Sequence, residues 1–307
     1  MAKQSIQQLL DTSPILQCPQ CARRGEQVGL IAQGTSLVCT CALCAKVHRF
    51  DVSSRGSVNM VPAQKPLLGY TEQFFAARRA VIDHGWYSLL IEQVVQQVAL
   101  VMDTMHKATP IRIADIGCGE GSYAKAIAQY CASRSIDAQV FGVDLAKDAI
   151  HVATTGGSQG VRWIVADLAA LPFADQSIDI IVNVFSPANY SEFKRIQTSY
   201  GVVLKVVPEI SHMVQVHRAV RQADAERTAE VSSALHERSA GDLFAQHASV
   251  KQQLRVTQQV EVQPAMQPLL ARMTPVLFHR EDSTALVSTI HEVTLDAMLL
   301  VGKQILE

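Results

Sequence analysis

The stretch that most limits what this chain can fold into is D-I-G-C-G-E-G, Asp115 to Gly121. Ahead of it, Ile111, Ile113, Ala114 and Ile116 form a short apolar run that predicts a buried strand. Behind it, the apolar spacing from Tyr123 to Tyr130 becomes helical. Gly117, Gly119 and Gly121 therefore stand at a strand-to-helix junction, where glycine permits a tight turn and close approach of a ligand to the backbone. One strand later, residues 140–143 (V-F-G-V) end in Asp144. An acidic residue at that point can accept both ribose hydroxyls of a nucleoside.

The spacing G-x-G-x-G, with the acidic Glu120 inside the loop, argues against a nicotinamide dinucleotide. A carboxylate there repels a pyrophosphate but suits a ligand carrying an ammonium group and a sulfonium, which points to S-adenosylmethionine. Further strands are expected at 162–166, ending before Asp167, at 178–185, nearly all apolar as a central parallel strand should be, and at 201–207. Residues 250–262 and 292–300 are expected to add antiparallel strands, and a helical stretch runs to about Ala234. Between 71 and 108 the pattern predicts two helices, the first capped by Thr71 and separated from the second near Gly85. The expected fold is α/β, a Rossmann-like, doubly wound sheet of the class I S-adenosylmethionine-dependent methyltransferase type, with the ligand across the carboxyl ends of the strands. Asp167 is placed to meet the adenine edge. Asn183, Phe185, Ser186 and Pro187 are placed to line the slot between methyl donor and acceptor, and Asn183 and Ser186 are candidates for orienting the acceptor.

With 307 residues and 48% hydrophobic residues, the chain can bury a real core, and no run reaches the length of a membrane span. A cytoplasmic protein is expected. Five of the seven cysteines fall within the first fifty residues: Cys18, Cys21, Cys39, Cys41 and Cys44, followed by His48. Clustering of this kind reads as a metal site rather than a set of disulfides. The C-x₂-C knuckle at Cys18 and Cys21 and the C-x₃-H segment from Cys44 to His48 supply four ligands for a closed, structural zinc. Cys39 and Cys41 remain spare, and either could take the place of Cys44. The expected organisation is a small zinc-ribbon domain over 1–60, a connector with helices over 61–108 and the methyltransferase domain over 109–307. A Ser/Pro/Gly-bearing connector between 52 and 69 marks the boundary, and the first ten residues read as a polar helix or tail. Residues 1–69 carry seven Lys and Arg against three Asp and Glu, a net +4 that leaves −5 for the remainder. That asymmetry fits a polyanion met mainly from the N-terminal side.

Taken together, these segments resemble bacterial large-subunit rRNA guanine-N1 methyltransferases of the RlmA type, including their macrolide-resistance branch. The resemblance rests on the C-P-x-C knuckle, the C-x₃-H-x-F-D segment from Cys44 to Asp51, G-x-V-N at 56–59, A-R-R-A at 77–80, G-x-Y ending at Tyr87, D-I-G-C-G-E-G, L-P-F at 171–173, Pro208 followed by His212, and M-T-P at 273–275. The chain departs from the family pattern at Ser57, at Tyr200-Gly201 and at Ala188-Asn189, none of them in the donor loop. The resemblance implies donor contacts from Tyr87, from Gly119 with Glu120 in the loop, and from His212 after the fifth strand, beside the loop's Gly117 and the strand-end Asp144. It also implies a large-subunit rRNA hairpin as substrate, an N-terminal module that recognises RNA, and pairing of two copies into an RNA cleft. Two other readings compete: a methyltransferase of small molecules with an incidental zinc ribbon, and a zinc RNA-binding protein with an inactive methyltransferase domain.

Overall fold

A computed structural model describes residues 2–42, 44, 47–61, 69–105, 110–227 and 240–305. The N-terminal part runs through α1 (Ala2–Leu10), α2 (Pro19–Ala22), β1 (Leu30–Gln33), β2 (Ser36–Cys39), β3 (Arg49–Asp51) and β4 (Ser57–Asn59). β1, β2 and β3 form a small antiparallel sheet in that order. Two helices follow, α3 (Glu72–Asp83) and α4 (Ser88–Asp103). Thr71 caps the first, its side chain accepting from the Phe74 N–H at 3.3 Å, and the chain turns at Gly85 with φ +91°.

The α/β core then alternates as the apolar pattern predicts: β5 (Ile111–Ile116), α5 (Ser122–Ser133), β6 (Ala138–Asp144), α6 (Lys147–Ala153), β7 (Val161–Val165), β8 (Ile178–Val184), α7 (Tyr190–Ile196) and β9 (Gln197–Pro208). The C-terminal part adds α8 (Val214–Arg227), α9 (Ala240–His247), β10 (Ala248–Glu261), α10 (Gln267–Met273), α11 (Ser283–Ser288) and β11 (Glu292–Ile305). The end of the helical stretch expected up to Ala234 lies outside the described residues.

Eight strands make one sheet in the order β10-β11-β9-β8-β5-β6-β7-β4. The pairs from β4 to β9 are parallel, whereas β11 lies antiparallel to both β9 and β10. β8 is buried at every position, which explains why its sequence is almost wholly apolar, with helices covering both faces. The chain winds from β5 outward through β6 to β7, then returns to the other side of β5 as β8. The crevice at this reversal, outside the carboxyl ends of β5 and β8, is where ligands bind in open α/β sheets.

The N-terminal segment is more tightly joined to this sheet than its composition implies. The polar-looking α1 buries Leu9 and Leu10, and Ser5 Oγ meets Ser158 Oγ at 2.7 Å. Within the stretch expected to be a connector, β4 pairs in parallel with β7 and forms the edge of the main sheet. Leu16 bridges to Phe173, with the Gln17 N–H donating to Pro172 O at 3.2 Å and the Ala174 N–H to Ile15 O at 2.9 Å. Leu9, Leu16, Phe50, Val58 and Met60 share one buried cluster with Phe141, Ile164 and Phe173. The expected boundary after residue 60 cuts across this shared core.

Candidate active site and metal cluster

A cavity of about 590 Å³ opens at the carboxyl ends of the central strands, a size suited to a nucleoside-containing ligand. Its floor is the glycine loop. The Gly117 and Cys118 N–H groups donate to Val143 O at 2.7 and 3.0 Å, which fastens the loop to the end of β6. At Gly117, with φ +78°, a β-carbon would overlap Ser186 Oγ. At Gly119, with φ +55°, a β-carbon would meet only the Phe75 ring at 3.8 Å. The backbone there faces open space, and left-handed geometry excludes most side chains.

Of the residues expected from the sequence, Tyr87, Gly117, Gly119, Glu120, Asp144, Ser186 and His212 all line this cavity. Asp144 accepts from the Gly119 N–H and the Ala146 N–H, both at 2.8 Å. Burial pushes its carboxyl up to about 6, against the pull of those two donors. Asp115 has no well-formed hydrogen bond on either oxygen. Burial, then the neighbouring Glu120 and Asp144 carboxylates, push it up to about 8, with the Ala124 amide a partial offset. Glu120 is buried and pairs with Arg78 Nε at 3.0 Å. Arg78, from the A-R-R-A segment, also lies 5.6 Å from the centre of the Tyr87 ring. It lines the cavity and was not singled out from sequence, where an arginine on a helix face reads as surface.

Tyr87, Phe185 and His212 form an aromatic corner, with ring centres 5.0 to 6.1 Å apart. Tyr87 (φ 62°) and Phe185 (φ 49°) hold left-handed backbone that costs a non-glycine residue energy, and such strain is concentrated at functional sites. His212 Nδ1 accepts from the Asp296 N–H at 3.2 Å. Burial, aided by Arg78, lowers its pKa to about 4, so the ring is neutral with its proton on Nε2.

Two expected residues stand elsewhere. Asn183 is fully buried beneath the cavity wall; its Nδ2 donates to Ile116 O at 2.7 Å and to Pro187 O at 3.2 Å. Its Oδ1 accepts from Lys205 Nζ, which also donates to Ser186 O at 2.5 Å. Burial lowers the Lys205 pKa to about 8. Its signal in the sequence is a lone charge within the apolar strand 201–207. Asp167 does not line the cavity, although its neighbours Ala166 and Leu168 do. Its carboxylate pairs with Arg23 at 2.5 Å and accepts from the Ala169 N–H at 2.9 Å, tying the cysteine-bearing segment to the end of β7.

The sulfur and nitrogen donors of Cys18, Cys21, Cys39 and His48 lie within 4.8 Å of one another. Cys21 Sγ is 3.5 Å from Cys39 Sγ and 3.6 Å from His48 Nδ1, and Cys18 Sγ is 3.2 Å from His48 Nδ1. A tetrahedral zinc with bonds of about 2.3 Å to sulfur needs edges of roughly 3.8 Å, so these donors fit such an ion. Burial raises the thiols of Cys18, Cys21 and Cys39, and a dication reverses that penalty by holding them as thiolates. The spacing-based choice of Cys44 differs from this group. Cys39 ends β2, where pairing with Leu30 and its amide bond to His48 O at 2.9 Å carry it against the knuckle. Cys44 stands 3.6 Å from Cys21 but groups with Glu26 and Cys41.

A methyltransferase domain family matches residues 113–207. A putative 23S rRNA (guanine-N1)-methyltransferase of Bacillus subtilis, YxjB, is 30% identical over 294 residues, covering 94% of this chain and 96% of the relative. A putative 23S rRNA (guanine-N1)-methyltransferase of Micromonospora griseorubida is 25% identical, covering 67% and 70% of the two chains. The 23S rRNA (guanine(748)-N1)-methyltransferase of Streptomyces fradiae is 27% identical and covers 66% of each. With its glycine loop, acidic strand ends and N-terminal cysteine cluster in one chain of matching extent, this protein belongs to the 23S rRNA (guanine-N1)-methyltransferase family.

Proposed function

We propose that this chain moves the methyl group of S-adenosylmethionine onto N1 of a guanine in a hairpin loop of 23S rRNA. The observation that carries the proposal is the reach of the likeness. At 94% of the chain, the match to the Bacillus subtilis relative is too long to leave out either the donor cavity or the cysteine cluster.

S-adenosylmethionine supplies an electrophilic methyl on a cationic sulfur. Near neutral pH Asp115 keeps its proton and Arg78 offsets Glu120, so the Asp144 carboxylate leaves the cavity wall net negative and favours a positively charged ligand. Asp144 keeps unused lone pairs for ribose hydroxyls, and Gly119 leaves the backbone open to the methionine part. The Tyr87 and Phe185 rings offer aromatic faces to a sulfonium, and the neutral His212 adds no competing charge. Against the loop at Gly117, Ser186 presents the hydroxyl that orients the guanine. Asn183 and Lys205 act behind it by holding the Ser186–Pro187 turn to the end of β5. Attack by N1 on the methyl carbon breaks its bond to sulfur, S-adenosylhomocysteine leaves, the N1 proton passes to water, and holding N1 in line with the methyl supplies most of the rate. A guanine is reached most easily where it is already unstacked, as in a hairpin loop.

Cys18, Cys21, Cys39 and His48 hold a structural zinc, a closed site with no open position. The zinc-bearing segment grips the hairpin with its net positive charge. Two copies pair to complete the RNA cleft, and an rRNA substrate places the work in the cytoplasm. Among the described residues no helix is long and apolar enough to cross a membrane.

The test is primer extension on rRNA. Methylated N1 cannot pair, so expressing the chain in cells lacking their own enzyme should create one reverse-transcriptase stop in a 23S hairpin. No stop on any rRNA, with labelled methyl appearing instead in the small-molecule fraction, would overturn the proposal.

A further inference from the structure

Four donors complete one zinc site, yet the segment brings more than four together. A second group shares one member with the first: Cys21, Glu26, Cys41 and Cys44 place one donor atom each within 4.8 Å of all the others. We propose that the cluster holds two divalent ions bridged by the Cys21 thiolate. The first ion is bound by Cys18, Cys21, Cys39 and His48, and the second by Cys21, Glu26, Cys41 and Cys44. The proposal rests on the zinc reading of the first set and extends it.

The geometry around Cys21 carries the argument. Its sulfur lies 3.5 Å from Cys39 Sγ on one side and 3.6 Å from Cys44 Sγ on the other. Both distances are close to the roughly 3.8 Å edge of a tetrahedral zinc–thiolate site. A thiolate has lone pairs for two metals, so the two tetrahedra can share this vertex. On the outer side, Cys41 Sγ approaches Glu26 Oε2 at 3.6 Å, closing the second set with a carboxylate, an accepted zinc ligand. Cys41 and Cys44 are half-buried and Glu26 is partly covered, as befits the outer of two sites.

Charge is compatible with two ions. With two dications bound, five thiolates and a carboxylate leave −2 on the cluster, whereas with one dication Cys41 and Cys44 keep their protons. Arg24 supplies a further positive charge: its Nη2 donates to Cys44 Sγ at 2.9 Å and to Cys21 Sγ at 3.6 Å, and lies 3.9 Å from Glu26. Loading releases the five thiol protons, with no change of oxidation state. The C-x-C-x₂-C run at 39–44, of which a single Cys₃His site uses one cysteine of three, then has every cysteine employed.

The test is metal content of the full-length protein, purified reduced in the presence of zinc, by elemental analysis and native mass spectrometry. Two zinc ions per chain are expected, falling to one in the C41S/C44S double variant, and E26Q should lose the second ion at lower chelator concentration than wild type. X-ray absorption should show a metal–metal distance of about 3.8 Å, from two bonds of about 2.3 Å at a shared tetrahedral sulfur, and the double variant should lack it. One zinc in wild type, unchanged by C41S/C44S and lost in C39S, would overturn the second site while leaving the first standing. One zinc lost in C44S but retained in C39S would overturn it too, returning the ligand set to the knuckle plus Cys44-to-His48 spacing. No zinc at all would remove both sites.

Discussion

Replacing Asp144 by Asn separates charge from shape at the end of β6. Both carboxylate oxygens accept backbone N–H groups, from Gly119 and Ala146 at 2.8 Å each. An amide has one acceptor oxygen, so one N–H must face the NH₂ of the new side chain. A buried donor left without an acceptor costs about 1–3 kcal/mol. That cost falls on the glycine loop at Gly119, where the proposed ligand approaches, and the ribose hydroxyls lose a charged acceptor as well. Affinity for S-adenosylmethionine should drop by about fivefold to 150-fold, the same 1–3 kcal/mol expressed as a ratio. Isothermal titration calorimetry at pH 7.5 measures this directly. Wild-type affinity in the Asp144→Asn variant would refute the assignment of Asp144 to the ligand. The pH dependence adds a second check. Burial raises the free carboxyl to about 6, so below that pH the native state holds a proton that a ribose-accepting carboxylate must lose. Wild-type affinity should therefore weaken as pH falls through 6, and the Asn variant should lose this dependence. The same shift has a sign for folding: between the ordinary carboxyl value of 3.8 and about 6 the native state binds more protons than the unfolded chain. The contribution of Asp144 to stability therefore decreases as pH rises across that window.

Arg78→Ala leaves Glu120 buried without its partner and should cost about 3 kcal/mol of stability, read as a lower denaturant midpoint; an unchanged midpoint would show that the pair carries no weight. His212 should show no ring titration between pH 5.5 and 8 by NMR, since its pKa is lowered to about 4; a midpoint near 6.5 would mean the ring is solvated. A fragment beginning at Gly69 should be far less soluble than the whole chain, because it uncovers the β7 edge and strips Leu9, Leu16, Phe50 and Val58 from their shared core. A well-behaved fragment with wild-type thermal stability would refute this integration.

Much of the site was legible in the chain itself. Strand, glycine loop, helix and the acidic end of the next strand are local signals, each set by residues within about thirty positions of one another. Tyr87, Gly119, Glu120, Asp144, Ser186 and His212 accordingly all reach one cavity, with Tyr87 and His212 indicated by the family resemblance. The same holds for the apolar β8 and for the Thr71 cap, which report their burial and their helix start directly in sequence.

What only tertiary structure decided are the long-range partnerships. Spacing favoured Cys44 as a ligand because C-x₃-H is compact, but pairing of β2 with β1 delivers Cys39 to the knuckle. Asp167 reads as a ligand residue at a strand end until Arg23, distant in sequence, is found against it. Asn183 faces inward to Lys205 rather than into the cavity, and Arg78 looks like a surface charge until Glu120 is buried beside it. The Ser/Pro/Gly-bearing stretch between 52 and 69 suggested a boundary, whereas β4 within it completes the main sheet and the two parts share a core. Local pattern records how a residue meets its neighbours along the chain; which distant charge, strand edge or thiol it meets depends on packing, and no period in the sequence encodes that.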